Sequence, residues 1–213
     1  MKIAFLGDSI TLGYALEDKS KRYATLVANM LGAEEENYGI TGTLVAKAGL
    51  NNSDGKDYVS RAGLIDEADV AVVFGGTNDY FWSDKGIEGE GDEYFRHAVA
   101  TLIERAKTVR AGKITLFVTP YNHHGKGNFE GATHFKESSW HDTDAKNYSG
   151  NTIFDYVDVI RKSCAEAGVP CLDLYDGFEF DWRLHTSDGC HPNELGHELI
   201  ANKVAAKLRE LLN

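Results

Sequence analysis

The sequence predicts an α/β fold, a parallel sheet covered on both faces by helices. Short apolar runs alternate along the chain with segments of helical period. Two of the runs, "DVAVVF" at 69–74 and "ITLFV" at 114–118, are almost wholly apolar, as strands buried on both faces must be. Strand and helix in alternation imply right-handed crossovers and hence parallel pairing.

The elements follow in order. Lys2–Leu6 is the first strand and ends at the glycine of "FLGDSITLGY", residues 5–14. Tyr23, Leu26, Val27, Met30 and Leu31 form one helical stripe, and Glu36–Tyr38 is a weaker strand. After the strand Asp69–Phe74, a second stripe joins Phe95, Val99, Leu102, Ile103 and Ala106. Ile114–Val118 is the next strand, and Ile153, Val157, Ile160 and Cys164 repeat the helical spacing. Cys171–Leu174 is the last strand. The final helix opens near Pro192, a residue suited to a first turn, and carries Leu195, Leu199, Ile200, Val204, Leu208 and Leu211. Residues 121–151 break the rhythm, with no period and many Gly, His and Asn. A connection that long is usually functional or mobile, and it leaves the carboxyl edge of the sheet, where open α/β folds place ligands.

The 213 residues suit one domain, 1–213, with a loop insert at about 121–151. A net charge of −11 argues against nucleic acid and against anionic lipid, because like charges repel. No apolar stretch approaches the ~20 residues of a membrane span. Cys164, Cys171 and Cys190 are odd in number and lack metal-type spacing, which fits free thiols in a reducing compartment. The opening "MKIAFLGDS" leaves no room for a signal peptide before the first strand, so a cytoplasmic location is expected.

Four stretches hold what acyl transfer needs. "GDS" offers the hydroxyl of Ser9; "GITGT" at 39–43 has glycines that let backbone N–H groups approach a ligand; "GGTND" at 75–79 offers the Asn78 amide; "DGCHPN" at 188–193 offers Asp188 and His191. A serine hydroxyl is a poor nucleophile until a base takes its proton, and imidazole suits that role near neutral pH. The imidazole needs an acceptor on its other nitrogen to fix its tautomer. Three residues separate Asp188 from His191, about one turn, so both side chains can meet. The nascent oxyanion needs donors in place, and the N–H groups of Ser9 and Gly42 with the Asn78 amide are available, Gly39 competing with Gly42 for the backbone role. Each stretch alone reads as a turn. Four unrelated turns would not supply nucleophile, base, orienter and oxyanion donors from one sheet edge.

"GDSIT", the glycine of "ITGT", "GTND" and the late "DGCHPN" resemble, in order, the four blocks of the SGNH hydrolases, the GDSL lipase/esterase family. The resemblance implies a three-layer α/β/α, flavodoxin-like sandwich whose five-stranded parallel sheet has the order 2-1-3-4-5. It also implies Ser9 as nucleophile, His191 as base, Asp188 as its orienter, and Ser9, Gly42 and Asn78 as the oxyanion hole, with no metal and no cofactor. The "TGT" match favours Gly42 over Gly39.

Tyr80, Phe81 and Trp82, directly after "GTND", and Trp140 in the insert are placed to line a substrate pocket; aromatic packing under a loop is the alternative. His123, His124, His134 and His141, with Asp142 and Asp144, fit no tetrahedral zinc spacing. Cys190 reads as a buried filler. The expected activity is a serine esterase acting through an acyl-enzyme on a small or carbohydrate-linked ester with an acetyl or short acyl group. The alternatives are acyl transfer to an alcohol from the same intermediate, and a domain that binds a small ligand without chemistry.

Overall fold

A computed structural model of the chain describes residues 1–48, 55–122, 146–147 and 149–213. Its strands are β1 (Lys2–Gly7), β2 (Glu34–Gly39), β3 (Val70–Phe74), β4 (Ile114–Val118) and β5 (Cys171–Leu172). They form one all-parallel sheet in the order 2-1-3-4-5. Between them run α1 (Ser9–Leu12), α2 (Tyr23–Leu31), α3 (Tyr58–Arg61), α4 (Thr77–Trp82), α5 (Phe95–Lys107), α6 (Ile153–Ala167), α7 (Trp182–His185) and α8 (Glu194–Leu212).

Strand alternation divides the core in two. Ile3, Phe5, Val70, Val72, Phe74, Leu116 and Val118 face α2 and α8, where they meet Tyr23, Val27, Ile200, Val204 and Leu208. Ala4, Leu6, Ala71, Val73 and Phe117 face the other way, against Tyr58, Phe95, Val99, Leu102 and Ile160. The sheet is therefore the middle layer of three.

Three elements differ from their sequence expectations for identifiable reasons. β2 is longer than Glu36–Tyr38, yet its six residues are only partly buried or exposed, so three glutamates mask its pattern. Charges on an edge strand also discourage further pairing. β5 stops at Leu172 rather than Leu174 because a side chain replaces the ladder: the Leu174 N–H donates to Thr119 Oγ1 at 2.9 Å, and Asp173 accepts from Thr119 Oγ1 at 3.0 Å. The last helix begins after Asn193, whose side chain accepts from the Gly196 N–H at 3.0 Å. Pro192 thus precedes the cap instead of filling the first turn.

Register brings the strand ends level. Gly7 pairs with Gly39 and with Phe74, and Phe74 with Val118. The loops after β1, β2 and β3 therefore leave the same edge side by side, and they carry "GDS", "ITGT" and "GTND".

Candidate active site

Asp8 caps α1, its Oδ1 accepting from the Ile10 N–H at 2.8 Å, so Ser9 becomes the first helical residue directly off the strand. The first N–H groups of a helix have no intrahelical acceptor, and that of Ser9 is one of them. Ser9 Oγ lies 2.9 Å from His191 Nε2, across 182 residues of chain. On the other side of the ring, His191 Nδ1 is 2.7 Å from Asp188 Oδ2. Asp188 and His191 do not share a helical turn. Gly189 takes φ +88°, the chain folds back, and Asp188 Oδ1 accepts from the N–H groups of Cys190 (2.9 Å) and His191 (2.7 Å). One carboxyl oxygen builds the turn while the other holds the imidazole. Burial alone would raise the Asp188 pKa; hydrogen bonds from the His191 ring and from those backbone groups outweigh it and bring it to about 2. Asp188 is thus an anion that accepts from Nδ1–H and leaves Nε2 free to accept from Ser9.

A cavity of about 320 Å³ opens over this array, lined by Ser9, Tyr14, Thr41, Gly42, Asn78, Phe81, Trp82 and His191 among others. Gly42 lines it in the left-handed region, at φ +74°, which a side chain would strain. Gly39 does not line it. Its N–H is already donated to Asn37 Oδ1 at 3.0 Å, and a Cβ there would lie 2.4 Å from the Leu12 backbone nitrogen, so Gly39 lets α1 and β2 touch. Asn78 Nδ2 donates to the Thr43 carbonyl at 3.0 Å and has a long contact of 3.4 Å with Asp8 Oδ2.

The aromatic expectation divides. Phe81 and Trp82 line the cavity, but Tyr80 is 4% exposed and packs inward, its ring 5.1 Å from that of Phe81 and 6.1 Å from that of Tyr156. Neighbours on α4 point about 100° apart, so adjacent residues cannot all face one cavity. Trp140 and the insert histidines lie outside the described residues, as does most of the insert. Cys190 lines the cavity floor, where burial pushes its thiol well above its ordinary pKa and keeps it protonated. His197, six residues beyond His191, is fully buried and accepts from the Tyr23 N–H at 3.1 Å, capping α2. Burial drives its pKa down to about 3, so it stays neutral. Among the described residues no cluster of three or more His, Cys, Asp or Glu is placed to hold a metal ion.

Supports around the site escaped the sequence reading. Asp79, fully buried, accepts from the N–H groups of Val45 and Ala46 at 2.9 Å each and ties the Gly42 loop to α4. Arg61 is 7% exposed and donates to the carbonyls of Gly7 (3.2 Å), Tyr38 (2.5 Å) and Lys56 (2.6 Å) and to Thr43 Oγ1 (3.0 Å). Only the motif position of Asp79 gave a signal.

A serine, an imidazole and a carboxylate in hydrogen-bonded series at the carboxyl edge of such a sheet have the form of an acyl hydrolase. The chain belongs to the GDSL-like lipase/acylhydrolase family, whose model matches residues 5–199. It is accordingly an ester hydrolase. Among solved structures it is similar to a protein from Lactobacillus plantarum, 27% identical, with 98% of this chain and 96% of that one covered and a TM-score of 0.79. The fold is shared with the acetyl xylan esterase AlAXEase (23% identical, 97% and 98% covered, TM-score 0.66). It is shared also with an alpha/beta hydrolase from the metagenome of Lake Arreo, Spain (21%, 97% and 94%, TM-score 0.64). No curated protein matches the chain in sequence.

Proposed function

We propose that the protein, as one domain spanning 1–213, hydrolyses short-chain esters of small or carbohydrate alcohols through an acyl-enzyme on Ser9. The observation that carries this reading is the unbroken series from Ser9 Oγ to His191 Nε2 (2.9 Å) and from His191 Nδ1 to Asp188 (2.7 Å). Ser9 Oγ attacks the ester carbonyl carbon as its proton passes to Nε2, and the carbonyl π-electrons move to oxygen. The oxyanion accepts from the N–H groups of Ser9 and Gly42 and from the Asn78 proton that otherwise makes only the long 3.4 Å contact with Asp8. When the C–O bond to the alcohol breaks, His191 returns the proton to the departing oxygen. Water, deprotonated by the same ring, then cleaves the acyl-serine and regenerates the hydroxyl.

A cavity near 320 Å³ is at the small end of ligand sites, which favours an acetyl or other short acyl group over a lipid chain. The acetyl xylan esterase that shares the fold makes an acetylated sugar the first carbohydrate to try. Three free thiols suit a cytoplasmic setting. The test is labelling with a fluorophosphonate followed by peptide mass analysis. An adduct on the Ser9 peptide, lost in Ser9→Ala, is expected; no adduct on folded protein, or one elsewhere, overturns the assignment.

A further inference from the structure

Tyr14 lines the cavity but takes no part in the steps above. Its side chain belongs to a residue 57% exposed, and its ring centroid lies 4.8 Å from that of His191, tilted by 45°. Its position follows from "SITLGY". α1 is a single turn, closed by Gly13 at φ +75°, whose N–H donates to the Ile10 carbonyl at 3.1 Å. The Tyr14 N–H reaches back to the Ser9 carbonyl at 2.9 Å. Those two bonds make a Schellman cap, in which the residue after the glycine is folded back over the first residue of the turn. One hydrogen-bonded ring therefore holds Ser9 and Tyr14 together, and Ser9 in turn holds His191. The proximity of the three is built into six consecutive residues and one distant histidine.

We propose that Tyr14 forms the wall of the leaving-group subsite and selects alcohols with a broad apolar face, such as a pyranose ring or an aryl group, over small alkanols. This rests on the reading of His191 as the group that protonates the departing alcohol. An alcohol receiving that proton must sit within hydrogen-bond reach of Nε2, beside the ring that Tyr14 packs against. The carbonyl oxygen points instead to Gly42 and Asn78, so Tyr14 touches the alcohol and not the oxyanion. An exposed phenol face gives a stacked partner to an aryl group and an apolar one to the C–H face of a sugar. A methyl or ethyl group spans too little of it to gain.

The test compares wild type, Tyr14→Ala and Tyr14→Phe on phenyl acetate, an acetylated methyl glucoside, ethyl acetate and phenyl butyrate. In Tyr14→Ala the kcat/KM ratios of phenyl and glucoside acetates to ethyl acetate fall by roughly threefold to tenfold, the size of one stacked contact. Tyr14→Phe keeps the ratios, and the phenyl acetate to phenyl butyrate ratio holds throughout. Equal loss on every acetate, or a change in the acyl ratio instead, overturns the proposal. Fluorophosphonate labelling of Ser9 separates the two levels. A variant that labels and turns over with wild-type alcohol ratios refutes the Tyr14 subsite alone, whereas a wild type that neither labels nor turns over acetates refutes the esterase reading beneath it.

Discussion

Asp188 spends one carboxyl oxygen on the backbone of Cys190 and His191 and the other on the His191 ring. Replacing it with asparagine keeps an acceptor for the turn but lets the amide offer N–H to Nδ1, which favours the wrong tautomer. We expect Asp188→Asn to lower kcat by roughly 10³–10⁴ with little change in KM, as measured by steady-state kinetics on a short acetate. On the proposed mechanism Asn78→Ala removes an oxyanion donor, and it is expected to lower kcat by about 10²–10³, again with KM nearly constant. These residues were legible because the chemistry admits few residue types, and each stands beside a strand end. Arg61 and Asp79 were not, since their work is to fill buried backbone acceptors and donors, which no local pattern announces. Tyr80 was misplaced for a related reason: adjacency in sequence says nothing about which of three side chains a six-residue helix sends inward.

Residues 40–48, the described part of the loop after β2, form no helix or strand, so their shape is imposed from outside. Asp79 on α4 holds the N–H groups of Val45 and Ala46. Arg61 at the end of α3 joins the carboxyl ends of β1 and β2 to Thr43. Lysine at this position offers a point charge where a planar fork now meets separate acceptors. We expect Arg61→Lys to cost about 2–4 kcal/mol in denaturant unfolding, because buried carbonyls lose charged donors, and to lower kcat through Gly42 and Asn78. Intact stability with reduced kcat would confine the role of Arg61 to the site, and an unaltered protein would remove it from the account. Strands β1, β3 and β4 and the four long helices were legible from apolar period. The short helices α1, α3, α4 and α7 span four to six residues, too few for a period to emerge. α1 and α4 line the cavity and α3 braces it through Arg61, so elements that are hard to read in the sequence are among those that shape the site.

At the scale of the whole molecule, burial opposes ionisation at two carboxyls among the described residues, Asp8 and Asp79. Burial raises the Asp8 pKa to about 6 and that of Asp79 to about 7, from 3.8, despite hydrogen bonds that favour the anions. Each therefore holds its proton longer when folded than when unfolded. Their joint contribution to stability falls as pH rises from about 4 through about 7 and then levels, opposed in part below about pH 6.5 by His197, whose lowered pKa acts in the other sense. Asp188 acts in the opposite sense: its pKa is lowered from 3.8 to about 2, so its contribution is present above about pH 4 and is lost as pH falls through about 2. We expect the thermal midpoint to be higher at pH 5 than at pH 8, and Asp79→Asn to flatten that dependence. A midpoint that rises towards pH 8 would contradict the burial of these carboxyls. A parallel sheet covered on both faces was within reach of the sequence, because strands buried on both faces read as continuous apolar runs; the strand order was legible only through the resemblance of the four blocks to the GDSL family, since apolar period does not say which strands are neighbours.

The most direct measurement is peptide mass analysis of protein quenched with acid while it turns over an aryl acetate. We expect an acetyl group on the peptide that contains Ser9, and none in Ser9→Ala, which should also lose turnover. An acetyl group on another residue, or full turnover by Ser9→Ala, would contradict the mechanism.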